Sequence, residues 1–373
     1  MAAGTSSDTF DTVDWDEVDA ETSGLDITLF AELLAFIALG AVFTYDYLVV
    51  EQGEPLILEW NVTSVEWLLG AVLILGFFNA VIPLARNRRM TAYYWRQFRK
   101  NRLAVLSGGY LVTIFLIGML GPLIWAAPNE TISYGTAYSP PVFMGGEATS
   151  WEHALGTDAQ GRNLWHLIVY GMRISLEVGL ISMALAITIG TAVGAVAAHF
   201  GGLVDEVLMR YVDLQQTFPV FILLVLLIYL YGASLFLIIA LYGLFGWEGT
   251  ARLVRSEALQ RTEEAYSKAA EAAGASRLWV VRRHIIPNVS STVITAATLS
   301  IPVFILGEAA LSFLGFGDPG AFSWGRTISA GRSDLANAWW ISTIPGFFLF
   351  FTVLAFNFIG DALRDAIDPR SSS

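Results

Sequence analysis

Two lysines, four histidines and a few acids in apolar surroundings are the residues of this chain that could do chemistry, and their spacing restricts what that chemistry is. Lys100 follows Arg99 and Lys268 follows Ser267, so neither sits in the Gly-Lys-Ser/Thr sequence whose backbone amides cradle nucleotide phosphates. ATP binding through a phosphate loop is therefore not expected. His153, His166, His199 and His284 are scattered without ligand spacing, and the absence of cysteine excludes disulfides and thiolate metal sites. Glu308 lies in an otherwise apolar run. A carboxylate there either bonds to a neighbouring helix, the commoner use, or lines a pathway where it meets a substrate amine. Asp158 and Arg162, four apart in a polar loop, pose a similar choice between a salt-bridged clasp, which we favour, and contact with an outside partner.

The elements that must position these residues are read from hydropathy. The chain has 373 residues, 55% hydrophobic and only 14% charged, where a soluble domain has about 25% charged. A helix needs roughly 20 apolar residues to cross a hydrocarbon core about 30 Å thick. Residues 103–129 carry no charge, 178–204 carry only His199, and 214–247 form an uncharged run of 34. The apolar blocks do not alternate as barrel strands do. The fold expected is an all-α polytopic membrane protein. Its spans are 27–50 and 67–85, an N-terminal helical pair, then 103–125, 174–198, 212–231, 234–251, 289–313 and 339–360. The first is weakened by Glu32 and Asp46. Residues 93–100 mix aromatics and bases, a pattern that suits a helix in the headgroup layer. Residues 128–173 form a loop too polar to span.

Orientation follows from the bases. Residues 86–102 hold seven bases and no acid, and 252–283 hold seven against four glutamates. Such stretches stay cytoplasmic, whereas the four acids of 51–66 fit the outer side. Eight spans place both basic stretches and both termini in the cytoplasm, in a multi-pass plasma-membrane protein. Residues 1–26, with eight acids and no base, read as a disordered acidic cytoplasmic tail rather than a signal peptide. A net charge of −12 suggests the salt-rich cytoplasm of a halophilic archaeon, where screening tolerates an acidic surface.

Between two spans lies AYSKAAEAAGASRLWVVRRHIIPN, residues 265–288. Thr262 is the expected N-cap, with Glu263 and Glu264 in the first turn where the dipole favours acids. Residues 266–273 are strong helix formers, Gly274 suits the left-handed C′ position, and Ser276 can cap a second short helix over 277–284. Pro287 marks a new helical start. The expected result is an elbow. Ala269, Ala270, Ala272 and Ala273 give it a smooth surface that could enter a groove on a partner. Elsewhere, Gly190 and Gly194 form a small-xxx-small motif for close helix crossing, which suits a seam with a second membrane subunit.

The spacing of Ala269, Ala270, Gly274 and Pro287 resembles the EAA loop of ABC importer permeases, with Lys268 in place of its first glutamate and His284 in place of isoleucine. GTDAQGRN at 156–163, YGMRISL at 170–176, GGLVDEVLMR at 201–210, FP at 218–219, ARLVR at 251–255, EAALSFLGFG at 308–317, SWG at 323–325 and DALRDAIDPR at 361–370 follow in order. Over residues 95–370 the chain resembles the C-type permease of dipeptide, oligopeptide and nickel transporters. That resemblance implies a six-helix ABC importer permease core at 91–373 with a cytoplasmic coupling loop at 252–287. The pair at 27–90 would add two extra transmembrane helices, outside the family pattern. It implies a transport subunit rather than an enzyme: half of the pathway of an ATP-driven importer for dipeptides or oligopeptides. A B-type permease, two ABC ATPase subunits that bind ATP and Mg, an extracellular solute-binding protein and membrane lipid would be its partners. It needs no cofactor of its own, and nucleic acid is not expected. The ATPase contact would fall on Glu263, Glu264, Lys268, Ala269, Ala270, Gly274, Arg277, Arg282, Arg283 and Pro287, with Glu308, Asp158 and Arg162 as pathway or outer-loop candidates. Nickel and sugars stay open as cargo, because the binding protein largely selects it in the resembled family. A secondary carrier would instead show intramembrane acid or histidine clusters and inverted repeats, and a membrane enzyme a ligand cluster or soluble domain; the sequence has none of these patterns.

Overall fold

The computed structural model describes residues 27–50, 62–146 and 149–367. The acidic tail at 1–26, the acid-rich stretch at 51–61 and the last residues of the terminal motif, 368–370, lie outside the described residues. The described residues contain no strand, only an isolated bridge between Thr157 and Asn163.

Helix α1 is Ile27–Val49, and α2 runs from Ser64 through a π turn at Phe77–Val81 to Arg86. The two acids that interrupt α1 face α2. Asp46 accepts from the Trp67 indole at 3.1 Å and Glu32 from the Asn79 amide at 2.8 Å. A polar group in lipid needs such a partner, which explains why this weak span pairs. Helix α3, Arg88–Phe98, leads into α4, Arg102–Leu120. Helix α5, Leu164–Phe200, has 37 residues and is about 55 Å long at 1.5 Å per residue. There follow α6, Gly202–Thr217; α7, Val220–Tyr231; α8, Leu235–Phe245; and α9, Glu248–Thr262. Next are α10, Ala265–Ala272, and α11, Arg277–Val280, which continues through a π turn, Val281–Ile285, to Asn288. Helices α12, Ser290–Phe313, α13, Trp324–Ala330, and α14, Trp340–Ile367, complete the chain. Among the described residues, seven helical stretches are long and apolar enough to cross a membrane, and the bent α6–α7 pair supplies an eighth if it is one span.

Three boundaries differ from the sequence reading. Helix α5 begins at Leu164, not near 174. Arg173, the last residue of the polar stretch read as a loop, forms an i,i+4 ion pair with Glu177 inside the helix. The expected span at 212–231 is two helices bent by 72° at Phe218–Pro219. Pro219 lacks an amide hydrogen and holds Phe218 extended, at φ −79° and ψ 128°. Residues 252–262, assigned above to the loop, prolong α9.

Helix α5 is the centre of the bundle, packed by α2, α4, α8, α9, α12 and α13. Gly190 and Gly194 let α9 approach it. A Cβ at Gly190 would lie 2.8 Å from the Trp247 carbonyl, and one at Gly194 would lie 2.4 Å from that of Ala251. These glycines therefore mark a crossing within this chain, not the seam with a second subunit. The sequence shows that a close approach exists but not with what.

We expect Gly194→Ala to cost about 1–3 kcal/mol, because two backbones must separate. Gly249→Ala meets nothing within 4 Å and lies in the same pair of helices, so it should be neutral or slightly stabilising. Thermal unfolding of the detergent-solubilised protein checks the contrast.

Candidate functional site

The elbow is held on the ends of α5 and α9 by an apolar seam. Val280, Val281, Ile285 and Val289 insert against Ala195 and Ala198 of α5 and Val254 and Ala258 of α9, and all eight are buried. Burying each of the four elbow side chains away from water contributes about 1.5–3 kcal/mol. Arg277 lies over the Phe200 ring at 6.0 Å. Ion pairs then lock α6 to α9: Arg255 grips Asp205 with two hydrogen bonds of 2.5 Å, and Arg252 pairs with Asp213.

Local chemistry bends the elbow. Thr262 is not the N-cap of α10. Its hydroxyl donates to the Ala258 carbonyl at 2.9 Å because α9 runs on through it. Glu263 and Glu264 form the turn ahead of α10, and the Glu264 carbonyl receives the Ser267 amide at 3.1 Å. Lys268 returns to Glu263 at 2.8 Å and holds that carboxyl below its ordinary range. Gly274 takes φ +89°, and the Ala275 amide reaches back to the Ala270 carbonyl at 3.1 Å, a C-terminal cap that needs a residue without Cβ strain. The Ser276 hydroxyl caps α11 by accepting from the Trp279 amide at 3.3 Å. His284 sits between Tyr266 of α10 and Trp279 of α11, with ring centroids 5.8 and 5.2 Å away. It thus ties the two arms, which the sequence did not reveal.

The outward face carries exposed Ala269, Ala272, Ala273, Gly274, Arg282 and Arg283, with Leu278 66% and Trp279 49% exposed. Glu263, Glu264, Lys268, Arg277 and Pro287 are also exposed. Ala270 differs. It turns inward and packs on the apolar seam, so it shapes the elbow rather than its surface.

At the opposite end, Asp158 and Arg162 form the clasp. The guanidinium reaches Asp158 at 2.6 Å, and the carboxylate also accepts the backbone amides of Gln160 and Arg162 at 2.9 Å each. Asn163 then caps α5, accepting from the Trp165 amide at 3.0 Å. The GTDAQGRN element is thus a device that starts the central helix. Glu308 is buried in α12 with the Ser312 hydroxyl at 2.5 Å. It does not line the cavity of about 530 Å³ at this end of the bundle. That cavity is lined instead by Glu66 of α2, Arg173 and Glu177 of α5, and Asp318. Arg173 bridges both glutamates, at 3.0 Å to Glu177 and in contact with Glu66. The sequence reading passed over this triad; the i,i+4 spacing of Arg173 and Glu177 was its visible signal.

Residues 186–373 match the family described as binding-protein-dependent transport system inner membrane component, and residues 90–141 match the N-terminal TM domain of oligopeptide transport permease C. The oligopeptide transport system permease protein OppC of Haemophilus influenzae is 37% identical over 276 residues, covering 74% of this chain and 87% of that protein. The dipeptide transport system permease protein DppC of Bacillus subtilis is 34% identical over 280 residues, covering 74% and 84%. The glutathione transport system permease protein GsiD of Pectobacterium atrosepticum is 31% identical over 302 residues, covering 79% and 97%. These relatives are bacterial, and the archaeal, halophilic origin expected from the acid excess gains no support from them.

The triad makes its own test. Arg173→Met leaves the buried Glu177 and the partly buried Glu66 without their shared cation and should cost about 3–5 kcal/mol. Adding Glu177→Gln should recover part of that loss, because the repulsion it relieves exists only once the guanidinium is gone. Unfolding temperatures of the single and double variants in detergent measure the coupling.

Proposed function

This chain belongs to the binding-protein-dependent transport system inner membrane components and is a permease subunit of an ABC importer; from that premise we propose that it carries dipeptides or oligopeptides through a pathway it shares with a related B-type permease. The peptide-transport names of its relatives support the cargo. The absence of a phosphate loop from the sequence supports separate ATPase subunits as the site of ATP and Mg, and a solute-binding protein on the outside would deliver the peptide. The basic stretches support an orientation with the elbow and both termini in the cytoplasm.

The observation that carries this reading is the seam under the elbow. A loop that only joined two spans would not bury four branched side chains against two other helices. A lever must, because a force applied to its outer face has to reach the bundle. The exposed arm of Ala269, Ala272 and Ala273 suits a cleft in an ATPase, and Leu278, Trp279, Arg282 and Arg283 form its other contact edge. Glu263, Glu264, Lys268, Gly274, Arg277 and Pro287 shape and flank that surface. When ATP draws the two ATPases together, the elbows of the two permeases move with them and carry the cytoplasmic ends of α5, α6 and α9. The bundle then changes between two packings by rigid-body motion. Glu308 stays a packing group and Asp158–Arg162 the outer clasp in this scheme.

In the assembled importer, Ala269→Trp or Ala273→Trp should lower uptake roughly tenfold, about 1.4 kcal/mol of lost coupling, at normal membrane expression. Gly274→Pro should act likewise, since proline cannot take a positive φ. ATP hydrolysis that continues while uptake falls marks uncoupling. Unchanged uptake in all three variants would refute the lever.

A further inference from the structure

A second cavity, of about 690 Å³, lies at the elbow-side end of the bundle, between the end of α3, the start of α4 and the last turns of α14. We propose that it binds the phosphate headgroup of an anionic phospholipid. The proposal stands on the membrane reading of the chain and is independent of the peptide cargo.

Its lining has three parts. Gln97, Lys100, Asn101 and Arg102 form a polar rim, buried Ala362 and Ala366 form an apolar floor, and Leu103 forms an apolar side open to the surroundings. Asp365 is the one acid of the lining, so the two bases leave it net positive. The approach to it is also basic, because residues 86–102 contain seven bases and no acid. The α4 N-terminus points the same way. Asn101 accepts the Ala104 amide at 3.2 Å, while the amides of Arg102 and Leu103 belong to the first turn, where the helix dipole favours an anion.

Depth selects lipid over a soluble anion. Helix α4 enters its apolar run at Leu103, and α14 leaves its own by Asp361, so the notch sits where hydrocarbon gives way to headgroups. Leu103 at the side of the notch is 52% exposed and Leu106, one turn further along α4, is 71% exposed. They offer an acyl chain a track that begins at the basic rim. Helix α3 adds Trp95, exposed and capped by Arg99 at 6.0 Å, a pairing suited to the interfacial layer. Phosphate on the rim and a chain on the leucines is the arrangement of a bound phospholipid.

Native mass spectrometry of the full chain in detergent tests this, with phosphatidylglycerol and phosphatidylcholine of identical acyl chains as probes. Phosphatidylglycerol should be retained preferentially. Lys100→Gln/Arg102→Gln should weaken its retention roughly 25-fold, about fivefold per base. Arg88→Gln/Arg89→Gln, which removes equal charge from the start of α3, outside the notch, should leave it within about twofold. Equal retention of the two lipids overturns the proposal, and so does equal loss in the two double variants, which would mean diffuse attraction. Free glycerol phosphate that displaces the lipid fully would reassign the notch to a soluble anion. If the notch variant does not fold, the comparison of the two lipids on the unaltered chain decides.

Discussion

Close contact between backbones governs this bundle. Gly190 and Gly194 bring α5 against α9 with no room for a methyl group, and the same two helices continue into the seam that grips Val280, Val281, Ile285 and Val289. A looser crossing would let α5 and α9 slide on each other, and the elbow would follow one and detach from the other. Small residues are what makes such rigidity available inside a membrane, where lipid supplies no hydrophobic drive between helices and packing must hold them. Charge completes the lock, because Asp205–Arg255 and Asp213–Arg252 fasten α6 to the same unit. The elbow ends of α5, α6 and α9 thereby form one body with α10 and α11.

The other end is organised by polar groups satisfied within the protein. The Asp158–Arg162 clasp fixes the loop that starts α5, and the Trp340 indole donates to the Thr157 carbonyl at 3.0 Å, fixing the start of α14 to that loop. Arg173 draws in Glu66 from the N-terminal pair, which neither family match covers. Removing the pair would leave the central helix with a charge partner missing, so α1 and α2 are built into the fold rather than appended to it.

What the sequence disclosed was local. Gly274 and Ser276 could be assigned because caps are set by a few neighbouring residues, and spans could be found because their apolar runs are continuous. Thr262 misled because a cap needs a helix to begin there, and nothing in the residue says that α9 has not yet ended. The 72° bend at Phe218–Pro219 escaped because hydropathy carries no direction, although the proline was in plain view. Helix α5 was cut short because Arg173 closes the polar stretch that reads as a loop, and its partner Glu66 lies 107 residues away. Ala270 was grouped with its neighbours as surface because the register of α10 on the seam depends on tertiary packing.

The central claim is that the elbow and the ends of α5, α6 and α9 are a single rigid body, and one distance tests it most directly. The chain has no cysteine, so spin labels at Arg282→Cys on the elbow and Leu203→Cys at the start of α6 are the only two that this chain carries. Their separation should be unchanged between the nucleotide-free and ATP-bound states of an importer that transports peptide. A separation that shifts with nucleotide would mean that the loop flexes on a static bundle, and would contradict the account.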